Sequence, residues 1–332
     1  MNKNVILISL LLITVLISGC TEVVEEGPET TGEVMKVARN FWPGQYWVDI
    51  ADKKGWFSQA GLNVELVDIN DNFLPSVQDW VNGKMDVNQP VFFDFIKHNA
   101  QGADLVAVIV TDLSFDGDGI IAKKEIEGMK NLMGKRIGLE QGTFMEFILS
   151  TVLERNGMTL VDVVLVENQA EEIQPFIDGK LDAIVTWDPY LSEAINKGDG
   201  HRIFGTSEIP GLVSDVMGFH RSFIEERPGD VQAFVNVWHK TTEFIKENPG
   251  EALEIIAEIY DIPFEDVAAF AEGDKILDLR DNKVAFSYAA GFESLHGTAK
   301  QINDFMKNNG ITDMTLDSIE FIDGQFIREV QD

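Results

Sequence analysis

A ten-residue pattern occurs twice in this chain. Val77-Gln78-Asp79-Trp80-Val81-Asn82-Gly83-Lys84-Met85-Asp86 is echoed by Ile173-Gln174-Pro175-Phe176-Ile177-Asp178-Gly179-Lys180-Leu181-Asp182. Apolar residues at i, i+3 and i+4 (Val77, Trp80, Val81; Ile173, Phe176, Ile177) give one buried stripe on a helix. Gly83 and Gly179 fall where such a helix must stop, because glycine enters the left-handed region without a steric penalty. Met85-Asp86-Val87 and Leu181-Asp182-Ala183-Ile184-Val185 then read as strands. A helix returning into a sheet, present twice, predicts two similar α/β lobes with a cleft between them.

The rest of the chain supplies alternating strands and helices, which implies mostly parallel sheets. Met35–Arg39 reads as a first strand, followed by a helix from about Tyr46 to Gln59 and an alternating strand over Leu62–Val67. Leu105–Val110 is a continuous apolar strand, and the first crossing between lobes is expected near Leu113–Ala122. Lys135–Leu139 opens the second lobe, Val161–Val166 follows, and Val213–Phe219 brings the chain back. From Pro228 on the pattern is mainly helical, with Val231, Phe234, Val235, Trp238 and Ile245 on one face and Pro249 and Pro263 at helix starts. This tail is expected to pack on the first lobe.

The chain opens with Lys3, an apolar run from Val5 to Ile17, and Ser18-Gly19-Cys20. The run is too short to span a bilayer as a mature helix and fits a secretory signal, with small residues before the cut. Ile17-Ser18-Gly19-Cys20 also resembles a lipoprotein signal, which would leave Cys20 acylated and the protein tethered to a membrane. Cys20 is the only cysteine, so the folded part has no internal disulfide, thiolate nucleophile or cysteine metal cluster. Thr21–Glu33 is acidic and aperiodic, as expected of a disordered tether. The expected division is 1–20 signal, 21–33 tether, 34–120 plus 219–332 first lobe and 121–218 second lobe. The formal net charge of −30 argues against nucleic acid or an anionic membrane surface as partner.

Catalytic and metal motifs fail on inspection. Asp112-Leu113-Ser114-Phe115-Asp116-Gly117 starts like a calcium loop, but its twelfth position is Lys123 where a bidentate Glu is needed. Gly134-Lys135-Arg136 lacks both the upstream glycine and the hydroxyl of a phosphate loop. His98, His201, His220, His239 and His296 are scattered, and no G-x-S-x-G elbow is present. Neither metal nor cofactor is expected. Thr143-Phe144-Met145-Glu146 reads as a capping box, Thr143 bonding the N–H of Glu146 and Glu146 reaching back to Thr143. The same helix start, preceded by Gln141-Gly142, could offer free N–H groups to an anionic ligand group. Trp42, Tyr46, Asn88, Gln89, Trp187 and Asp188 all follow expected strands, where ligands bind in open α/β sheets.

Several of these segments resemble the substrate-binding proteins of ABC importers. They are the lipoprotein start, Trp42-Pro43-Gly44, Lys54-Gly55-Trp56-Phe57, Gly61-Leu62-Asn63-Val64, Gly134–Gly138, Trp187-Asp188-Pro189-Tyr190, and Phe223 with Glu225-Glu226 and Pro228. The similarity is to the nitrate/sulfonate/taurine, or NMT1/THI5-like, class. It implies a type II periplasmic-binding fold: two doubly wound lobes of mostly parallel sheet, joined by a two-strand hinge, with a helical C-terminal extension. It further implies capture of a small solute without chemistry and delivery to a permease with its ATPase, by an extracytoplasmic monomer. The binding loops implied by the resemblance fall on Trp42, Gln45 and Tyr46; Asn88 and Gln89; Asp112; Gln141, Gly142, Thr143 and Phe144; Trp187 and Asp188; and Asp215. Asp112, Asp188 and Asp215, with Asp116 and Asp118 nearby, make this expected site rich in carboxylate and poor in Lys and Arg. An amine-bearing, zwitterionic or pyrimidine-type solute is therefore expected over a bare anion. Two rival readings are a sensor passing its closed form to a membrane receptor, and a pyrimidine-synthase-like enzyme, the latter disfavoured because that branch uses a cysteine-rich motif.

Overall fold

The computed structural model describes residues 27–330. The expected signal, Cys20 and residues 21–26 of the expected tether lie outside the described residues.

Among the described residues eleven strands form two sheets. They are β1 (Val34–Arg39), β2 (Asn63–Asp68), β3 (Val87–Asn88), β4 (Leu105–Ser114), β5 (Asp118–Lys123), β6 (Arg136–Leu139), β7 (Val164–Glu167), β8 (Ala183–Trp187), β9 (Gly200–Gly205), β10 (Ser214–His220) and β11 (Asp274–Ile276). One sheet runs β11-β4-β10-β3-β1-β2 and the other β7-β6-β8-β5-β9. β1 pairs in parallel with β2 and β3, and β6 with β7 and β8. β10 runs against β3 and β4, β11 against β4, and β5 against β8 and β9, so both sheets are mixed, each with a reversed strand, β10 or β5, inserted in its interior. Those reversed strands are the ones that begin just after the chain changes sheets. It crosses between β4 and β5 through Phe115–Gly117 and returns between β9 and β10. The crossings lie a few residues before the sequence-based boundaries, which would cut β5 and β10 in two.

The repeated decapeptide does the same structural job in both lobes. Gly83 (φ 75°) and Gly179 (φ 71°) end their helices in the left-handed conformation. Their N–H groups return to Trp80 O at 2.8 Å and Phe176 O at 3.0 Å. The terminal aspartates then clamp the neighbouring parallel strand. The Asp86 backbone N–H donates to Lys36 O at 2.9 Å while its carboxylate accepts the Lys36 N–H at 2.7 Å. Asp182 repeats both bonds on Arg136, each at 2.8 Å. Trp80 and Phe176 are fully buried beneath them.

The C-terminal part is mainly helical, as its apolar face predicts. Helix Pro228–Glu247 buries Val231, Phe234, Val235 and Trp238 against Trp47, Phe57 and Phe219 of the first lobe. Two features depart from expectation. β11 adds an edge strand to the first sheet inside this tail. Helix Leu295–Asn308 also reaches both lobes: Phe305 lies 5.9 Å from Phe93 in helix Phe92–Ala100 and 5.4 Å from Phe147 in helix Phe144–Arg155, with Phe93 and Phe147 5.7 Å apart. The tail therefore packs across the gap rather than on the first lobe alone.

The expected disordered tether also needs correction over residues 27–33. The Thr31 N–H and hydroxyl donate to Asp230 at 2.7 and 2.6 Å, and Arg227 donates to the carbonyls of Glu33 and Val34 at 2.8 and 3.1 Å. A Cβ on Gly229 would sit 1.9 Å from Glu29 O, so glycine is required for this segment to lie down. Composition could not reveal this, because the partners are some two hundred residues away.

Asp182 also accepts the Arg136 guanidinium at 3.0 and 2.9 Å, which holds its carboxyl below the usual carboxylate range. Asp182→Ala should therefore lower stability by about 1–2 kcal/mol, the cost of losing a charge-assisted cluster at a half-exposed edge. Urea denaturation, read against Asp178→Ala as a surface control, measures it.

Candidate functional site

A cleft of about 730 Å³ opens where the two sheets meet, a volume suited to a small molecule. The carboxyl ends of β1, β2, β3 and β4 face it from one lobe and those of β6, β7 and β8 from the other, the position at which open α/β sheets bind ligands. The reversed strands β5 and β10 present their first residues to the same space. Of the residues expected from the sequence, the structure brings Trp42, Asp112, Phe144, Trp187, Asp188 and Asp215 together around it.

The walls are aromatic. Phe144 and Trp187 stack at 5.7 Å with 29° between planes, and Tyr190 meets Trp187 edge-on at 6.4 Å. Facing them, Phe41 stacks on Phe270 at 5.2 Å, and Trp42 lies edge-on to Phe270 at 5.5 Å. Tryptophan presents a large rigid face at small entropic cost and keeps one N–H for a polar partner. Trp42 uses its own on Asp112 Oδ2, at 2.9 Å.

The floor is acidic. Asp112 on β4 and Asp215 on β10 are direct register partners, and Asp274 on β11 pairs with Ser114, two residues along β4 from Asp112. Because side chains alternate along a strand, this register sets Asp215, Asp112 and Asp274 on one face of three neighbouring strands. Asp118, at the start of β5 and paired with Trp187, completes the group. Asp112, Asp118 and Asp215 are 1%, 3% and 5% exposed. Gly44 packs so tightly on Asp112 that a Cβ there would lie 2.1 Å from its carboxyl carbon, so only glycine leaves room for the acid.

Like charges opposite each other on a sheet are unfavourable, and burial adds to the cost. Burial first, and then Asp112 and Asp188, push the Asp118 carboxyl up to about 7. Burial followed by the neighbouring carboxylates raises Asp215 and Asp274 well above the usual range. Asp112 is also raised by burial, although the Thr111 hydroxyl at 2.7 Å and the Trp42 N–H favour its charged form. Among the described residues eight carboxylic side chains line the cleft and no Lys, Arg or His does. Among the described residues no three His, Cys, Asp or Glu side chains are arranged to hold a metal ion.

Other expected residues lie elsewhere. Gln45, Asn88 and Gln89 are fully buried behind the floor. Gln45 donates to Gln89 O at 2.9 Å and reaches Asp215 at 3.4 Å; Gln89 Oε1 accepts the Trp47 indole N–H at 2.9 Å. Tyr46 is buried among Ile50, Ile256 and Val267. Gln141, Gly142 and Thr143 do not line the cleft. The helix start is closed by its own side chains: Glu146 accepts the Gly142 N–H at 2.7 Å, one residue earlier than the expected box, and Thr143 Oγ1 accepts from Met145 N at 3.3 Å. Lys97 of the first lobe caps Gly142 O at 2.8 Å. The Gly142 and Met145 N–H groups of this helix start are thus taken by its own side chains.

Three contributors escaped the sequence reading. Asp274 sits in the tail read as helical, although Asp274-Lys275-Ile276-Leu277 alternates polar and apolar residues towards its end, a usable strand signal. Phe41 and Phe270 pair across more than two hundred residues, for which a single sequence carries no sign.

Two α/β lobes, connected by crossing segments and holding a walled cleft at their strand ends, define the fold of the periplasmic binding proteins. The family model described as NMT1/THI5 like matches residues 46–252, and the chain belongs to that family. A relative from Bacillus subtilis (strain 168), provisionally named an aliphatic sulfonates-binding protein, is 28% identical over 221 residues, covering 64% of this chain and 66% of that one, just under two thirds of its length. A formylaminopyrimidine-binding protein of Halalkalibacterium halodurans is 24% identical over 76% of this chain and 78% of its own. The periplasmic aliphatic sulphonate binding protein SsuA from Escherichia coli superposes with a TM-score of 0.69 at 16% identity, over 87% of this chain and 91% of that structure.

The raised carboxyls give a sign to the pH dependence of the empty protein. Asp94 and Asp118 rise from an ordinary 3.8 to about 7, so their stabilising protonated forms are fully retained below pH 3.8 and lost as pH climbs through 7. The melting temperature should fall between about pH 4 and pH 7 and level off above, and Asp118→Asn should flatten the slope. Differential scanning calorimetry across that range tests it.

Proposed function

We propose that this protein is the extracytoplasmic solute-binding component of an ABC importer, and that its solute carries a basic or strongly hydrogen-bond-donating nitrogen on an aromatic or otherwise flat body. The observation that carries the reading is the cleft itself: aromatic faces on both lobes, carboxylic groups at the floor, and no cation along the lining. A flat body slides between Trp42 and Phe270 on one side and Trp187 and Phe144 on the other, while the floor receives its nitrogen. A bare sulfonate or nitrate would meet carboxyl groups without a basic side chain to balance it. The pyrimidine named for the Halalkalibacterium halodurans relative suits this chemistry better than the aliphatic sulfonate named for the Bacillus subtilis one.

Closure follows from the architecture. The lobes are linked by short crossing segments, and a solute touching both walls favours the shut arrangement by its differential contacts. The shut form is what a permease would receive, with no chemistry performed on the solute. A thermal-shift screen over aminopyrimidines, amines, amidines, sulfonates and nitrate should give stabilisation by the nitrogen bases. Trp187→Ala should weaken the best of them by tenfold or more in calorimetry, since an aromatic face contributes about 1–3 kcal/mol. Tight nitrate binding with none by nitrogen bases would reverse the assignment.

Attachment to the membrane is proposed through an acylated Cys20, nine residues before Glu29, where the chain docks on the start of helix Pro228–Glu247. Radiolabelled palmitate should enter the wild-type protein and not Cys20→Ala in cells; equal labelling of both refutes the anchor.

A further inference from the structure

Resting on the reading of the cleft as the solute site, we propose that it takes its solute as a cation in exchange for a proton, the positively charged nitrogen seating between Asp118 and Asp215. The two carboxyls enter the cleft from different strands, β5 and β10, that flank the two crossings between lobes. Each is more than nine-tenths buried. Among the described residues the one donor that reaches the Asp215 carboxylate is the Gln45 amide, at a long 3.4 Å. Asp118 has the Ser114 hydroxyl beside it and no basic group.

The groups facing this pair are all acidic or neutral. Asp112 on β4, Asp274 on β11, Asp94 on helix Phe92–Ala100 and Asp188 after β8 surround it, with Gln45 behind. Lys97 acts electrostatically on Asp94 and Glu140 but is spent on Gly142 O. Asp112, receiving two hydrogen bonds, is best placed to stay ionised. Asp274 lies against it, its two oxygens otherwise without partners, and serves as the acid that shares a proton with it. That leaves Asp118 and Asp215 as the members open to the cleft, and in the empty site they hold protons because nothing nearby offsets a second or third negative charge.

A cation supplies that offset. Its arrival stabilises the carboxylate form, a carboxyl O–H bond breaks heterolytically, and the proton leaves to solvent, so net charge is conserved across the exchange. The sign is diagnostic. A cation expels protons, a neutral hydrogen-bonding solute moves none, and an anion must draw protons in.

Calorimetric titration of the purified protein in buffers of different ionisation enthalpy reads that sign directly. Benzamidinium, fully charged at neutral pH, flat and aromatic, is the probe, with a neutral aminopyrimidine and methanesulfonate alongside. The expected result is release of about one proton per benzamidinium between pH 6 and 7, with Kd rising up to about tenfold per pH unit on acidification. Asp118→Asn and Asp215→Asn should each weaken binding and cut the proton count, while the wild-type titration stands even where a variant fails to fold. Benzamidinium binding without proton release, or preference for the sulfonate with proton uptake, overturns the exchange and leaves the solute clamp intact. Absence of binding by every probe overturns both.

Discussion

Asp112 and Asp215 oppose each other across one rung of an antiparallel ladder, and the rest of the site is arranged around that strained pairing. Two buried carboxyls at directly facing positions of a sheet are costly, yet β4 and β10 bring them together at the point where the chain leaves and re-enters the first lobe. The surroundings hold them in place without neutralising them. Trp42 and Thr111 supply hydrogen bonds to one, Gln45 reaches the other, and Gly44 withholds the side chain that would push the first away. A stability-driven sequence would place an arginine nearby or replace the acids. That the described residues show neither remedy is what singles out this floor in support of the proposed site.

Lobe construction, by contrast, is conservative. The two decapeptides build equivalent corners: a stripe of apolar residues, a left-handed glycine, and an aspartate clamping the adjoining parallel strand. The agreement extends to individual bonds, though only Trp80 adds an indole N–H to the carbonyl of its own aspartate, at 3.1 Å. One lobe is thus a variation on the other, and what differs between them is concentrated in the loops that meet at the cleft.

Much of this was readable from the chain because it depended on local chemistry. The repeat exposed the lobes; periodicity located the strands and the helix Pro228–Glu247; residues just beyond expected strands nominated Trp42, Trp187 and Asp188, and the family resemblance added Asp112 and Asp215. The failures share a physical cause. Asp274, Phe270 and the docking of Thr31 onto Asp230 depend on partners far along the chain, which no local pattern records. Gln45, Asn88 and Gln89 follow strands as required but turn inward to buried partners, since position after a strand does not fix which way a side chain points. At Gly142 the helix start was located correctly, but the Gly142 N–H that looked vacant is taken by Glu146.

The phenylalanine triangle of residues 93, 147 and 305 carries a mechanical consequence. It spans the divide and is built of rings packed on one another, which can slide and tilt but are costly to separate in water. An opening of the mouth that keeps these rings packed would proceed as rotation about this greasy bearing, with the rings rolling on one another. The C-terminal segment behaves less as an appendage than as an axle, limiting how far the jaws can part and along which arc they travel.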